Sequence, residues 1–227
     1  MAALILSTAS TTLKEKQEYN IKVDSRKNVL KCAGLDVNAM SSSEILEKYS
    51  KVIIEKVMTI AGEITDINIS NLEISENKSS GQQLYSIDGK AYLPIYLYME
   101  SEVVDAYIIP ISGKGLWSTL YGYFALDKDK NTVKGITFYK HGETPGLGGE
   151  VEKQWFQDNF LGKQIFNENG ELVAIEVVKG EISALKKDHQ VDGISGATIT
   201  GKGVSDFLKA DLIKYLPFLQ KQIPSNT

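Results

Sequence analysis

The chain has 227 residues, of which 42% are hydrophobic, so it can form one full hydrophobic core and needs no second large domain. Its 25 Lys and Arg residues are outnumbered by 29 Asp and Glu residues, which argues against a nucleic-acid partner because phosphate binding requires clustered cations. One cysteine and two histidines argue against a zinc or iron–sulfur site built from this chain alone. Any redox chemistry would therefore require an organic cofactor.

The chain starts with a short apolar run, Met1–Ser10, and becomes charged from Lys14 onward. The run is too short to cross a bilayer, which takes about 20 residues, and it lacks the basic front of a signal peptide. Two interpretations remain open here: the remnant of a transmembrane anchor whose first half is missing, or a frayed amphipathic terminus. The composition from Leu13 to Ala33, with Gly34 at the C-cap position, predicts a helix leading out of this anchor.

A second helix is predicted after the capping-box sequence Ser41–Glu44, because apolar residues follow at helical spacing as far as Ile60. Strand-like patterns come next, at residues 64–69, 83–87, 92–99, 103–109, 119–126 and 133–139. The remaining predicted elements are a short helix near 152–160, a strand at 172–179 and a final helix near 202–216. Helices at both ends of a run of strands predict an α+β fold with a mixed, mainly antiparallel sheet and flanking helices.

The most unusual segment is residues 192–203, a small, hydroxyl-rich loop that runs into the last predicted helix. The free N–H groups and the positive dipole end of a helix's first turn suit an anion such as a phosphate, and the glycines of this loop leave room for one. The alternative is a plain helix N-cap formed by Ser195, Thr198 or Thr200. A nucleotide-hydrolase phosphate loop has a Ser or Thr hydroxyl for magnesium at the position of Gly203 and follows a buried strand. This segment has neither, which argues against an ATPase.

Two further segments and one lysine could contact a ligand. In residues 139–150, Pro145 is followed by three glycines, so the backbone follows a tight path with exposed N–H groups that suits a planar ligand; an ordinary strand-to-helix turn is the alternative. Within this segment, His141 and Glu143 are interpreted as a surface pair, because no third metal ligand is in view. Residues 112–117 end in Trp117, which could stack on a ring or belong to the core. Lys179 could pair with a phosphate or a carbonyl oxygen of a ring-shaped ligand, or be solvated.

Four segments, taken in order, carry a resemblance: Gly113–Trp117, Gly142–Glu150, Val178–Gly180 and Asp192–Thr200. Together they resemble the FMN-binding domain of NqrC, a component of the Na+-translocating NADH:quinone oxidoreductase, over roughly residues 105–216. The most specific pattern is Asp-x-x-Ser-Gly-Ala-Thr, onto whose last residue a flavin transferase moves FMN from FAD in this family. The alternatives are the related G subunit of the Rnf ferredoxin-oxidising complex, and a non-redox structural domain in which Ser-Gly-Ala-Thr is only a helix cap.

The resemblance implies FMN bound covalently through a phosphodiester to Thr198. It also implies a cofactor pocket, with no catalytic residue and no metal ligand, formed by Trp117, Glu143, Thr144, Leu147, Gly148, Lys179, Ser195, Gly196, Ala197 and Thr200. The domain would pass electrons between other redox subunits, and the isolated chain is not expected to turn over NADH.

The resemblance implies a setting as well. A single N-terminal transmembrane helix would hold the domain on the periplasmic face of the bacterial inner membrane. Residues 1–35 would then be the remnant of this anchor with its leading helix, and residues 36–227 a single FMN-binding domain.

Overall fold

A computed structural model of the chain describes residues 2–179, 182, 184 and 186–221. Its α-helices are α1 (Ala2–Cys32), α2 (Ser42–Val52), α3 (Gln154–Asp158) and α4 (Thr198–Leu219). Its strands are β1 (Ile53–Thr59), β2 (Ile64–Thr65), β3 (Glu73–Glu76), β4 (Gln83–Ile87), β5 (Lys90–Glu100), β6 (Val103–Lys114), β7 (Thr119–Asp127), β8 (Val133–Lys140), β9 (Glu176–Val178) and β10 (Gln190–Asp192). Short 3-10 helices span Ile69–Asn71 and Gly148–Glu152.

The first eight strands form one sheet in which every pairing is antiparallel. The strand order is β2-β1-β5-β6-β7-β8, with β4 paired to the start of β5 and β3 paired to β4. β9 and β10 form a separate two-stranded parallel ribbon. The predicted α+β fold with a mainly antiparallel sheet and flanking helices is therefore confirmed, and among the described residues parallel pairing occurs only in the separate β9–β10 ribbon.

The alternation of side chains along the central strands gives the sheet two apolar faces. On one face, Ile109 and Phe124 are buried in a cluster that includes Leu208 of α4. On the other face, Ile108 is buried in a cluster that includes Leu30 of α1. Both faces of the sheet are thus covered by helices, and the core lies on both sides of it.

The second predicted helix is correct at its start and wrong at its end. The capping box between Ser41 and Glu44 is present, but α2 stops at Val52 and the chain continues as β1. All seven residues of β1 pair with β5, from Ile53 opposite Tyr98 to the end of the strand. Helical spacing and a strand pattern overlap in this β-branched segment, and pairing with β5 decides for the strand.

Other boundaries differ because they depend on tertiary pairing. The strand predicted at 64–69 has only two residues, and the one predicted at 172–179 is reduced to β9. β3 and β10 were not predicted, since four and three residues are too few to leave a clear alternation in the sequence. The last helix begins at Thr198 rather than near Lys202. No helix within the described residues is long and apolar enough to span a membrane.

α1 runs antiparallel to β8. The carbonyl oxygen of Cys32 lies against Gly135 near the start of β8. Four residues earlier in α1, the carbonyl oxygen of Asn28 accepts a hydrogen bond from the Thr137 hydroxyl at 3.4 Å. Toward its N-terminus, α1 therefore extends toward the end of β8 at Lys140, where the loop of residues 141–153 begins.

Candidate functional site

Three segments of the chain meet at one end of the sheet. They are residues 115–118 between β6 and β7, residues 141–153 after β8, and the first turn of α4. The side chain of Glu143 lies between all three and is only 5% exposed. The site is therefore assembled around a buried carboxylate.

Five hydrogen bonds converge on this carboxylate. Its Oε1 accepts the backbone N–H groups of Trp117 and Ser118, each at 3.0 Å, and the Ser118 hydroxyl at 3.1 Å. Its Oε2 accepts the backbone N–H of Leu116 at 3.1 Å and the Thr200 hydroxyl at 2.6 Å. We call these five contacts the Glu143 clip. The clip joins the β6–β7 loop to the first turn of α4 through a residue of the third segment.

The clip keeps Glu143 ionised. Burial alone would raise the pKa of Glu143, but the hydrogen bonds from Thr200 and from the backbone of residues 116–118 outweigh it and hold the pKa below its ordinary value of 4.5. Only the ionised carboxylate can accept all five hydrogen bonds, because a protonated carboxyl would place an O–H donor opposite one of these donors.

The stability that the clip provides should depend on pH. Because the pKa of Glu143 is lower in the folded than in the unfolded chain, its contribution is complete above about pH 4.5 and is lost as the pH falls through the folded value. We expect wild-type and Glu143→Gln chains to differ in the free energy of unfolding by roughly 1–3 kcal/mol at neutral pH, as for hydrogen bonds to a buried charge. Urea unfolding along a pH series measures this difference. A difference that grows on acidification would contradict the assignment.

His141 and Glu143 are not the surface pair that was expected, because the Glu143 side chain is buried in the clip. The Nδ1 atom of His141 accepts the backbone N–H of Glu143 at 3.2 Å, and its Nε2 lies 3.4 Å from a carboxylate oxygen of Glu152. Among the residues that the structure describes, no three side chains of the metal-binding types form a group that could hold a metal ion.

The glycines near α4 allow close contact between segments of the protein. A Cβ added at Gly203 would lie 2.3 Å from the carbonyl oxygen of Lys114, at the end of β6. A Cβ added at Gly201 would lie 3.0 Å from Cγ1 of Val177 in β9. The interpretation that Gly203 leaves room for an anion is therefore wrong, since the end of β6 fills the space beside it. Gly201 lies against β9 but also lines the cleft beside Thr198.

Thr198 and Thr200 have different environments at the start of α4. The N-cap is Ala197, which makes no side-chain capping hydrogen bond, so the alternative of a cap formed by Ser195, Thr198 or Thr200 is wrong. Thr200 is 1% exposed, and its hydroxyl is engaged in the clip. Thr198 is exposed, and its hydroxyl makes no hydrogen bond with the part of the chain that the structure describes. Of these two hydroxyls, only that of Thr198 is available to a reaction partner.

A cleft of about 340 Å³ opens beside Thr198. It lies between the end of β9, the loop after β10 and the first turn of α4. Five of the residues that the resemblance placed in the site line this cleft: Lys179, Ser195, Gly196, Ala197 and Thr198. A larger groove, of about 1200 Å³, is lined by none of the predicted site residues.

Exposed apolar side chains lie around the same end of the sheet. Trp117 is 71% exposed, and Leu147 is 42% exposed and lies against Gly196, where an added Cβ would come within 2.9 Å of it. Leu116 and Ile199, at 45% and 58% exposed, were not predicted, although both lie inside the motifs that carried the resemblance. A flat aromatic ligand or a protein partner could cover such a surface.

The ten predicted pocket residues thus fall into three sets. Lys179, Ser195, Gly196 and Ala197 line the cleft, Trp117, Thr144 and Leu147 are exposed, and Glu143, Gly148 and Thr200 are buried between the segments. The segment of residues 143–148 and the loop around Thr198 are in direct contact, through the clip and through Leu147.

The chain is similar in sequence to a known domain family and to known proteins. Residues 115–212 match the FMN-binding domain family. The C subunit of the Na(+)-translocating NADH-quinone reductase of Vibrio alginolyticus is 35% identical over 234 residues, covering 97% of this chain and 90% of that protein. The corresponding protein of Pseudomonas aeruginosa is 35% identical over 222 residues, covering 92% of this chain and 85% of that protein.

Solved structures show the same similarity. The crystal structure of the corresponding protein from Parabacteroides distasonis superposes with a TM-score of 0.78 at 34% identity, covering 93% of this chain and 98% of that one. The structure of Shewanella oneidensis NqrC gives a TM-score of 0.68 at 26% identity, over 86% of this chain and 93% of that one. These relatives favour the quinone reductase over the Rnf alternative. The chain therefore belongs to the NqrC family, the C subunits of the Na(+)-translocating NADH-quinone reductase.

Proposed function

We propose that this chain carries FMN linked through a phosphodiester to Thr198, and that it relays electrons between other redox subunits of a Na+-translocating NADH:quinone reductase. The proposal depends most on one observation: the Thr198 hydroxyl is exposed beside a cleft and makes no hydrogen bond to any described residue, whereas the Thr200 hydroxyl is buried and donates to Glu143. Membership in the NqrC family and the match to the FMN-binding domain family support the choice of cofactor.

The residues around the cleft suit FMN. The first N–H groups of α4 have no partner within the helix and, with the helix dipole, favour a phosphate near Thr198. Lys179, which lines the cleft, provides a cation. The exposed rings and chains of Trp117 and Leu147 provide apolar surface for a flat ring system. When bound, FMN would supply reversible one- and two-electron chemistry, and the protein would orient it and adjust its electrostatic environment.

Attachment of FMN is a group transfer without oxidation or reduction. The Thr198 oxygen would attack the FMN phosphorus of FAD, the bond from this phosphorus to AMP would break, and AMP would leave. The hydroxyl proton would pass to a base of the flavin transferase. The product gains the mass of FMN less one water.

The direction of α1 determines which side of the domain would face the membrane that the resemblance implies. α1 extends along β8 toward the end of the sheet that carries Glu143 and Thr198, and the sequence at its start, Ala2–Leu6, is apolar. An anchor continuing from this end of α1 would hold the FMN site on the membrane-facing side of the domain. We place the domain, residues 36–227, on the periplasmic face of the bacterial inner membrane, as the resemblance implies.

Mass spectrometry tests the proposal. The chain coexpressed with a flavin transferase of the same family of complexes should gain one FMN less one water, and the modified peptide should contain Thr198. The purified flavinylated chain should exchange electrons with small dyes but oxidise NADH negligibly, because the sequence lacks the G-x-G-x-x-G fingerprint of a dinucleotide site between a strand and a helix. A flavin on a peptide that lacks Thr198, or steady NADH oxidation, would refute the proposal.

Lys179 should raise the reduction potential of the bound flavin. Its cation favours the negative charge added on reduction, so Lys179→Met should lower the potential by tens of millivolts, which corresponds to a Coulomb energy of roughly 1 kcal/mol for a partly exposed charge. Lys202→Met is the matched control, because Lys202 is an exposed lysine of α4 that pairs with Asp206 at 2.6 Å and does not line the cleft. Redox titration measures both variants. Equal potentials in wild type and Lys179→Met would remove Lys179 from this role.

A further inference from the structure

We propose that Glu143 is a positioning residue for the attachment of FMN rather than a ligand of the flavin. This inference rests on the proposed function, since it assumes that Thr198 is the acceptor. It assigns to the Glu143 clip the task of holding the acceptor helix and the Trp117 loop in one fixed relation.

Glu143 has no capacity left for a ligand. Its side chain is 5% exposed, and its two oxygens already accept five hydrogen bonds. A Cβ added at Gly148 would lie 2.8 Å from Oε2, and one added at Gly115 would lie 2.8 Å from Oε1, so the backbone closes over the carboxylate from two sides. Contact between FMN and this carboxylate would require the clip to open.

The clip acts on Thr198 through Thr200. Both residues lie in the first turn of α4, and the Thr200 hydroxyl donates to Oε2 of Glu143 at 2.6 Å. The turn has no capping side chain, because the N-cap is Ala197. The bond to Glu143 therefore replaces a cap as the side-chain contact that holds this end of the helix, and an uncapped helix end is the part of a helix that frays first.

The same carboxylate holds the loop that carries Trp117. Three consecutive backbone N–H groups, those of residues 116–118, point to Glu143. The loop and the first turn of α4 are both hydrogen-bonded to the Glu143 carboxylate. A substitution of Glu143 therefore alters the position of Thr198 relative to Trp117. Preorganisation of an attacking group near its reaction geometry is a rate effect, because it removes the entropy cost of finding that geometry.

Two pairs of variants separate positioning from folding. Thr200→Val keeps the shape of Thr200 and removes the hydroxyl, whereas Thr200→Ser keeps the hydroxyl. Glu143→Gln keeps the shape of Glu143 but replaces one acceptor oxygen by an NH2 group, which is a donor. The backbone N–H of Leu116 is also a donor, so it cannot form a hydrogen bond with this NH2 group. The control is Asp211→Asn. Asp211 is also buried on α4 and accepts a backbone N–H of β6, that of Ser112 at 2.8 Å, but it lies more than three helical turns from Thr198.

The experiment measures the initial rate of FMN attachment by the transferase with FAD, at a temperature where every variant is folded by circular dichroism. We expect Thr200→Val and Glu143→Gln to slow the maximal rate at saturating chain concentration roughly tenfold or more, as the loss of a hydrogen bond to a buried charge implies. Thr200→Ser should recover most of the rate. Asp211→Asn should lower the melting temperature at least as much as Thr200→Val while leaving the rate nearly unchanged.

Hydrogen exchange provides a second readout. The amide protons of residues 116–118 should lose protection in Glu143→Gln and keep it in Asp211→Asn. Rates of Thr200→Val and Glu143→Gln equal to wild type, or slowing by Asp211→Asn to the same degree, would overturn the positioning role while leaving Thr198 as the acceptor. A wild-type chain that gains no FMN at Thr198 would overturn the proposed function and this inference together.

Discussion

Thr198→Ala and Thr198→Val are expected to abolish covalent incorporation of FMN, whereas Thr198→Ser should retain part of it. The physical reason is the local geometry at the start of α4. The Thr198 oxygen is exposed beside the cleft, and the nearest alternative hydroxyl in the same turn, that of Thr200, is 1% exposed and donates to Glu143. No second acceptor in this turn can replace the missing oxygen.

Intact-mass analysis after coexpression with the transferase measures this effect. Thr198→Val is the matched control for shape, because it differs from wild type by the exchange of a hydroxyl for a methyl group. Ser195 is also exposed near the cleft, so a peptide map should show that it stays unmodified in each variant. Full modification of Thr198→Val would show that another residue is the acceptor.

Gly203→Ala is expected to destabilise the fold, although it lies inside a helix. Exchange of glycine for alanine inside a helix normally stabilises it by about 1 kcal/mol. At Gly203, the new Cβ would lie 2.3 Å from the carbonyl oxygen of Lys114, which is backbone and cannot rotate away. We therefore expect the opposite sign, a loss of roughly 1–3 kcal/mol in the free energy of unfolding, as for other overpacked positions.

Gly201→Ala is the matched control on the same helix. Its Cβ would lie 3.0 Å from Cγ1 of Val177, the far end of a side chain that can shift by a few tenths of an ångström. Urea unfolding of both variants should show a much smaller effect at Gly201 than at Gly203. A Gly203→Ala chain as stable as wild type would contradict the 2.3 Å distance between the added Cβ and the carbonyl oxygen of Lys114. It would mean that α4 and β6 lie farther apart at this point.

The strands of the central sheet could be predicted from local patterns, because side chains that alternate between two environments leave a period of two in the sequence. β4 and the starts of β7 and β8 were predicted at the residues where they occur, Gln83–Ile87, Thr119 and Val133. The end of α2 could not be predicted, since residues 52–60 fit a helix and a strand equally well until β5 is placed beside them. β3 and β10 needed their partners to exist at all.

The sequence by itself predicted the α+β class and the family, because these depend on local periodicity and on motifs of adjacent residues. The same motifs are the source of the proposal that Thr198 is the acceptor. Only the tertiary structure decided the roles of Glu143, Thr200 and the two glycines of α4. Glu143 looked like a pocket residue, yet it is buried among donors from segments 26 and 57 residues away in the chain. Gly203 looked like space for a phosphate, yet that space is occupied by the end of β6, whereas Gly201 lies against β9 and lines the cleft. Such roles arise from contacts between segments that are distant in the chain, and a local sequence pattern does not indicate which segments come into contact.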